Sequence, residues 1–520
     1  MSTQRYSRVL WVVLDGMGYE HIRLALGSHR HTALSRIDRE GCFAPMRPAS
    51  PVCQTPPALL ALFTGTQPAD NGAWGYSMPH PNRLEKSQSG FFADMSRTKT
   101  IWHELEERGQ GYSLMNVAFR NDPVWRGPAE HLVFGYDGYR LWRKPSLFRL
   151  AGGTEHIAYR GIDLRVRSTS RAAILIKGAT LRIELPRGEG RIVRLTQGTK
   201  VYAHLLEPRL LVLNPVNDVA CRGGAADKAG CDGFIDMSTF HLVRRLNASR
   251  GPKPPISEEA ELLACRVSFQ RKADLMASQA DNRAARLVVG YFPVIDDLNH
   301  AYFDLLESSS ELAGQDDRAR ALFHACARMV DDLLGRLMQR MQEDTLLVIS
   351  SDHGAMAFRS MLHINETLAD AGLVRRRGGG YDHAKSLAWY HPSDCGQIVT
   401  RQTSQRAALL GRVHRVLDSA PGQTRAGIGV LDGADDSPFL AFLYPKGDTY
   451  FTGRPPRRIG RALDAGRSGG HHLSPLSPTP WIQAVLGLWS PREGVIRSRL
   501  PFLPQENIEM KGFLMETLEL

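Results

Sequence analysis

Thr55 opens the segment Thr55-Pro56-Pro57-Ala58 in a chain that offers carboxylates and imidazoles elsewhere: Asp15, Asp296 with His300, Asp352 with His353, and His471 with His472. One hydroxyl combined with such groups is the set that a two-metal hydrolase of phosphate esters requires. An acid beside an imidazole, as in Asp352-His353-Gly354, suits zinc or manganese. Asp296 and His300 are four residues apart, a spacing that puts both on one helical face, where they can hold one ion. Each feature also has an ordinary reading. Asp15-Gly16 makes a turn, and Thr before two prolines is a respectable helix N-cap. Asp352 can be a capping acid beside a surface His, Asp296 and His300 an ordinary helix contact, and the Gly-Gly-His-His loop is weak evidence alone. Cap and chemistry are compatible, because a helix N-terminus favours phosphate.

The elements that must position these groups follow from the apolar pattern. Arg8–Leu14 is a nearly continuous apolar run, as expected for a parallel strand buried on both faces. Similar runs recur at Arg286–Phe292 and Thr345–Ser350. Helical patterns occupy Thr98–Arg108 and Ala319–Met341; in the second, Leu322, Ala325, Met329, Leu333, Leu337 and Met341 hold one face. Strands alternating with helices predict an α/β core with a mostly parallel sheet, whose ligands bind at the carboxyl ends of strands. Asp15, Asp296 and Asp352 all stand there. By contrast, Ile162–Arg167 and Thr180–Leu185 alternate apolar and polar residues, with a turn at Gly188-Glu189-Gly190. This predicts an inserted antiparallel β module.

At 520 residues the chain can bury a large core, and its composition, 42% apolar and 23% charged, is that of a globular protein. The net charge of +11 is spread out, with Arg375–Arg377 and Arg454–Arg458 as its densest pieces. That favours an anionic substrate or simple solubility over a dedicated nucleic-acid surface. Seven cysteines without a CxxC pair predict a reduced, cytoplasmic protein, although Cys221 and Cys231 bracket a Gly-rich segment and could pair. There is no signal-type apolar region, and no run approaches the ~20 residues of a membrane span.

Together these anchors resemble the alkaline phosphatase superfamily, specifically its type I phosphodiesterase/nucleotide pyrophosphatase branch and related phosphohydrolases. In that pattern the nucleophile stands nine residues before the Thr of a Thr-Gly pair, with Pro two residues after it. Thr55, Pro57 and Thr64-Gly65 fit this register. Asp15 matches the metal-ligating Asp of a VVLDG-like strand, Asp296 and His300 the D-x-x-x-H element, Asp352-His353-Gly354 the D-H-G element, and His471 or His472 the late G-x-H element. The resemblance implies a three-layer α/β/α sandwich with cap segments. It also implies two divalent metals, zinc first and manganese second. Asp15, Asp352, His353 and Thr55 would hold one; Asp296, His300 and His471 or His472 the other. No histidine adjoins Thr55 in sequence to act as a base, so the metal would activate it, and a phospho-threonine intermediate is implied. A sulfatase is excluded on register, because Cys53 lies eleven residues before Thr64.

Two departures concern the substrate. Where nucleotide pyrophosphatases of this branch place an Asn to hold a phosphate oxygen, this chain has Tyr76, and Asn71 replaces a usual His before Gly. Both are candidate substrate contacts. The reading is hydrolysis of a phosphodiester or phosphoanhydride of small size. The alternatives are a phosphomonoesterase or phosphonate hydrolase with the same metals, and a non-catalytic binding protein on this fold. The expected division gives the catalytic core residues 1–150, 259–394 and 466–520, an inserted β module and cap loop 151–258, and a cap segment 395–465.

Overall fold

The structure is a computed structural model. It describes residues 6–28, 30–50, 53–80, 83–92, 98–119, 132–135, 146–177, 181–196, 199–216, 220–221, 257–307, 317–358, 360–391, 396–400, 405–419, 428–432, 440–445, 449–453, 455, 463–465, 469–470, 479–492 and 500–520. His471, His472, Cys231 and most of Arg454–Arg458 lie outside the described residues.

The apolar runs of the sequence become the middle of one eight-stranded sheet. Its strands are β1 (Arg8–Leu14), β2 (Cys42–Met46), β3 (Gly111–Val117), β4 (Leu132–Gly135), β5 (Ala220–Cys221), β6 (Ala285–Phe292), β7 (Thr345–Ser350) and β8 (Ala484–Trp489), in the order β5-β4-β3-β6-β1-β7-β8-β2. β4, β3, β6, β1 and β7 pair in parallel, and β5 and β8 run against their neighbours. Every residue of β1 and β7 is buried, which is why these runs do not alternate.

Helices cover both faces. On one side lie α1 (Thr55–Thr64) and, late in the chain, α5 (Met510–Thr517); on the other lie α2 (Glu258–Gln279), α3 (Val294–Leu306) and α4 (Asp317–Arg340). Trp11 packs edge-on against Phe63 of α1 with ring centroids 5.5 Å apart, while Phe292 packs against Phe269 of α2 at 5.0 Å. Trp11 is level with Val289, three positions before Phe292, so the two rings leave the sheet on opposite faces. This is the three-layer, mostly parallel α/β architecture expected. In α4 the buried stripe runs through Leu322, Cys326, Val330, Leu333 and Leu337, and Ala325 and Met329 are only partly covered. The expected face holds at Leu322, Leu333 and Leu337 and shifts by one residue between Leu322 and Leu333.

The alternating strands fall in an antiparallel module of two four-stranded sheets, one built from Gly153–Tyr159, Ile162–Ser168, Ala172–Lys177 and Leu181–Pro186, the other from Ser146–Arg149, Gly190–Thr196, Thr199–Glu207 and Leu210–Pro215. Leu164, Val166, Leu175 and Leu185 of the first sheet share one core with Val193, Leu205 and Leu213 of the second, so the module is a β-sandwich. The turn at Gly188, with φ +80°, carries the chain from one sheet to the other. A further four-stranded antiparallel sheet comprises Ala388–Tyr390, Gln397–Thr400, Ile428–Asp432 and Leu440–Pro445. No helix among the described residues is long and apolar enough to cross a membrane.

Candidate active site

Parallel register brings the predicted acids together. β1 lies between β6 and β7, with Leu14 level with Phe292 and Val13 level with Ser350. The residues just past these strands therefore emerge on one edge: Asp15, Asp296 and Asp352. Backbone bonds stitch the edge, the Asp15 N–H donating to Phe292 O at 3.1 Å and the Asp296 N–H to Asp15 O at 3.1 Å. Gly16 allows this closeness, since a Cβ there would lie 2.7 Å from Asp296 Cα at a φ of +66°.

His353 is the hub. Its Nδ1 donates to the carbonyl of Gly354 at 2.8 Å, which fixes the tautomer and leaves Nε2 with its lone pair turned inward. Nε2 lies 3.3 Å from Asp15 Oδ1, 3.3 Å from Asp352 Oδ2 and 3.4 Å from Thr55 Oγ1. The imidazole that the sequence does not place beside Thr55 is thus supplied by the fold, 298 positions away. All four side chains are buried, Thr55 being 4% exposed and Asp15 2%.

Thr55 is not the helix cap. The first intrahelical bond runs from the Ala58 N–H to Gln54 O, so Gln54 is the N-cap and Thr55 the first residue of α1. The N-cap preference of Thr therefore does not account for this residue. Instead its hydroxyl faces His353. Asp296 and His300 share the first turns of α3, as their spacing predicts, with His300 Nε2 3.4 Å from Asp296 Oδ2. The Gly469–Gly470 strand that precedes His471 pairs with Met356–Ala357, just beyond Asp352-His353-Gly354, and packs on α3.

The electrostatics call for a cation. Burial first, then the charges of Asp352 and Asp296, push the Asp15 carboxyl well above the ordinary carboxylate range. Asp352 is pushed up by the same burial and by Asp296. Asp15 Oδ1 and Asp352 Oδ2 are buried and accept no protein hydrogen bond, an arrangement that costs energy unless a positive charge occupies the space between them. Ligand atoms of Asp15, Asp296 and His353 lie within 4.8 Å of one another, and this is the one group of three such ligands among the described residues. Carboxylates and one neutral imidazole are a donor set for a divalent metal of the zinc or manganese kind.

Several supporting residues carry no motif. Tyr291, inside the apolar run of β6, donates its phenol to Asp15 Oδ2. Asn507 Nδ2 donates to the Asp352 carbonyl at 2.6 Å, and Asn299 Nδ2 to Gly16 O at 2.9 Å while its Oδ1 accepts from buried His21. Nothing in sequence marks Tyr291 or Asn507; Asn299 falls inside the D-x-x-x-H element and is legible only as a position there. Of the loop candidates, Tyr76 is 37% exposed, with its N–H donating to Gln54 Oε1 at 2.6 Å. Asn71 is enclosed, its amide spent on Thr66 O and the Ala73 N–H in its own turn. Arg376 is taken up in surface ion pairs with Glu366 and Asp370. Cys53 is fully buried and its thiol is pushed up by burial.

Residues 231–427, which include Asp296, His300, Asp352 and His353, match the model of the family Type I phosphodiesterase / nucleotide pyrophosphatase. No curated protein matches the sequence. Among solved structures the chain is similar to phosphonoacetate hydrolase from Sinorhizobium meliloti 1021, at 12% identity and a TM-score of 0.51 over 99% of this chain and 96% of that one. It is similar to the alkaline phosphatase PafA at 10% identity and a TM-score of 0.51, covering 99% and 96%. Murine ectonucleotide pyrophosphatase / phosphodiesterase 5 aligns at 12% identity and a TM-score of 0.48, covering 99% and 95%. The fold is alkaline-phosphatase-like, and the family match over residues 231–427 together with the buried Asp/His group on the strand ends points to a phosphoric ester hydrolase.

Proposed function

We propose that the chain hydrolyses a phosphodiester or phosphoanhydride of a small phosphorylated substrate through a phospho-threonine at Thr55. The observation that supports this most directly is Thr55 Oγ1 at the N-terminus of α1, 3.4 Å from the His353 nitrogen that also faces Asp15 and Asp352. One divalent ion would be held by Asp15, Asp352 and His353 with Thr55, and a second by Asp296, His300 and one of His471 or His472; zinc is the first candidate and manganese the second. Such ions neutralise phosphoryl charge and lower the pKa of an oxygen nucleophile.

The protein's own groups do the rest. Thr55 Oγ attacks phosphorus in line as its proton passes to solvent, the bond from phosphorus to the leaving oxygen breaks with the electron pair going to that oxygen, and the phosphoryl group stays on Thr55. Water then attacks the same phosphorus, the bond to Thr55 Oγ breaks, and the hydroxyl is restored. The start of α1 favours the anion through its dipole, although Pro56 and Pro57 donate no N–H groups. Tyr76 is the exposed member of the adjoining loop and meets the substrate, with Asn71 holding the turn beneath it. Buried thiols at Cys265 and Cys326 support a reducing, cytoplasmic location.

The test is turnover of bis-p-nitrophenyl phosphate and p-nitrophenyl phosphate by protein loaded with zinc or manganese. Diester turnover that disappears in Thr55→Ala, with metal content retained, is the expected result. Inactivity on both esters, or activity indifferent to Thr55→Ala, would sink the reading. A strong preference for the monoester would redirect it to a phosphatase.

A further inference from the structure

We infer that the sheet formed by Ala388–Tyr390, Gln397–Thr400, Ile428–Asp432 and Leu440–Pro445 sets substrate specificity, and that Gln397 is the positioning residue through which it acts. The inference rests on the reading of Thr55 and Tyr76 given above. Gln397 is fully buried, and its Nε2 donates to Trp74 O at 3.0 Å and to Ser77 O at 3.2 Å. Both partners are carbonyls, so the orientation of the amide is fixed by chemistry. The two carbonyls flank Tyr76. The same sheet offers a second grip, Phe442 stacking on Trp74 with centroids 5.0 Å apart and planes 23° from parallel.

Tyr76 is held at three further points. Its N–H donates to Oε1 of Gln54, the residue before Thr55, and its carbonyl accepts from the Gly90 N–H at 3.0 Å. Its ring meets Phe91 edge-on at 5.6 Å, and Phe91 rests on Phe119 at 5.7 Å. Phe119 adopts a φ of +64°, a conformation that bulky residues keep only when their surroundings enforce it. An exposed aromatic ring that stands on a fixed backbone and is braced by Phe91 has lost much of its freedom, so a ligand that stacks on it bears less ordering cost. A flexible exposed tyrosine would need none of these anchors. The ligand is the organic group that stays on phosphorus, and the ring favours a flat aromatic one.

The experiment compares kcat/KM for bis-p-nitrophenyl phosphate and methyl p-nitrophenyl phosphate. Both expel p-nitrophenolate, so damage to the metal site or to Thr55 cancels in the ratio. Tyr76→Ala is expected to lower the aryl-to-methyl ratio about fivefold to tenfold. Gln397→Met, which keeps volume and removes the donors, lowers the same ratio mainly through KM and speeds amide exchange at residues 74–77. The double variant is no worse than Tyr76→Ala alone, because both act through one ring. An unchanged ratio in Gln397→Met, or full additivity in the double variant, overturns the inference. Gln397→Asn, too short to span both carbonyls, repeats the test should the methionine variant not fold. If the wild type hydrolyses neither ester, the phosphodiesterase reading fails, and amide exchange decides alone: equal exchange with and without the Gln397 donors overturns the tether.

Discussion

The phenol of Tyr291 donates a hydrogen bond to Oδ2 of Asp15 from the neighbouring parallel strand. It leaves Oδ1 to face His353 Nε2 and lowers the proton affinity of a carboxyl that burial and two other acids raise. Such partners of a ligand typically alter metal affinity by about tenfold to a hundredfold. Tyr291→Phe is expected to weaken metal binding in that range with the fold intact. Chelator competition followed by metal analysis checks it; an unchanged affinity would show that the phenol only packs.

The clustered acids make the effect of metal depend on pH in a defined direction. Asp15 and Asp352 have folded pKa values raised above their unfolded ones. The metal-stripped protein therefore escapes their cost below about pH 4 and bears it increasingly as pH rises. Buried His21, His204 and His391, each pushed down to about 4 by burial, act oppositely, with stability complete above 6.5 and lost as pH falls toward 4. His204 and His391 have no charged partner among the clustered acids and contribute alike to loaded and stripped protein. The difference in melting temperature between the two forms is thus expected to grow from pH 5 to pH 8. A constant difference would mean that the acids are not relieved by the ion.

Gly354 has no room for a side chain, since a Cβ would lie 1.8 Å from Trp481 O. Its carbonyl also orients His353. Gly354→Ala is expected to release metal and to lower the melting temperature together, whereas Thr55→Ala should leave the melting temperature of the stripped protein nearly unchanged. Parallel calorimetry and metal analysis of the two variants separate these outcomes.

Asn507, fully buried, holds the Asp352 carbonyl. Asn507→Ala leaves that carbonyl without this donor, at a cost of about 1–3 kcal/mol. A lower denaturant midpoint accompanied by weaker metal retention is expected; a stability loss with normal metal affinity would assign Asn507 to the fold alone.

Much of this was legible because chemistry and periodicity coincide. β1 and β7 begin and end where their apolar runs do, and an acid follows β1 at once and β7 after one residue. Parallel register then leaves little choice about where Asp15 and Asp352 meet. The β-sandwich was visible as alternation, but not that Gly188 passes between two sheets, since a turn looks the same whichever strands it joins. Tyr291 reads as one more large residue in VVGYF, and only the neighbouring Asp15 gives its hydroxyl a task. Asn507 and Gln397 have no local signature, because the carbonyls they hold lie 155 and more than 300 positions away.

The bond from Asn507 to Asp352 also has a consequence during synthesis. The pocket draws Asp15 from the first strand and its last brace from residue 507, so a nascent chain cannot finish the site until nearly all of this sequence has left the ribosome. The strands that bring the acids together are all complete by residue 350. The brace at Asp352 is therefore a late addition to acids whose strands are already made.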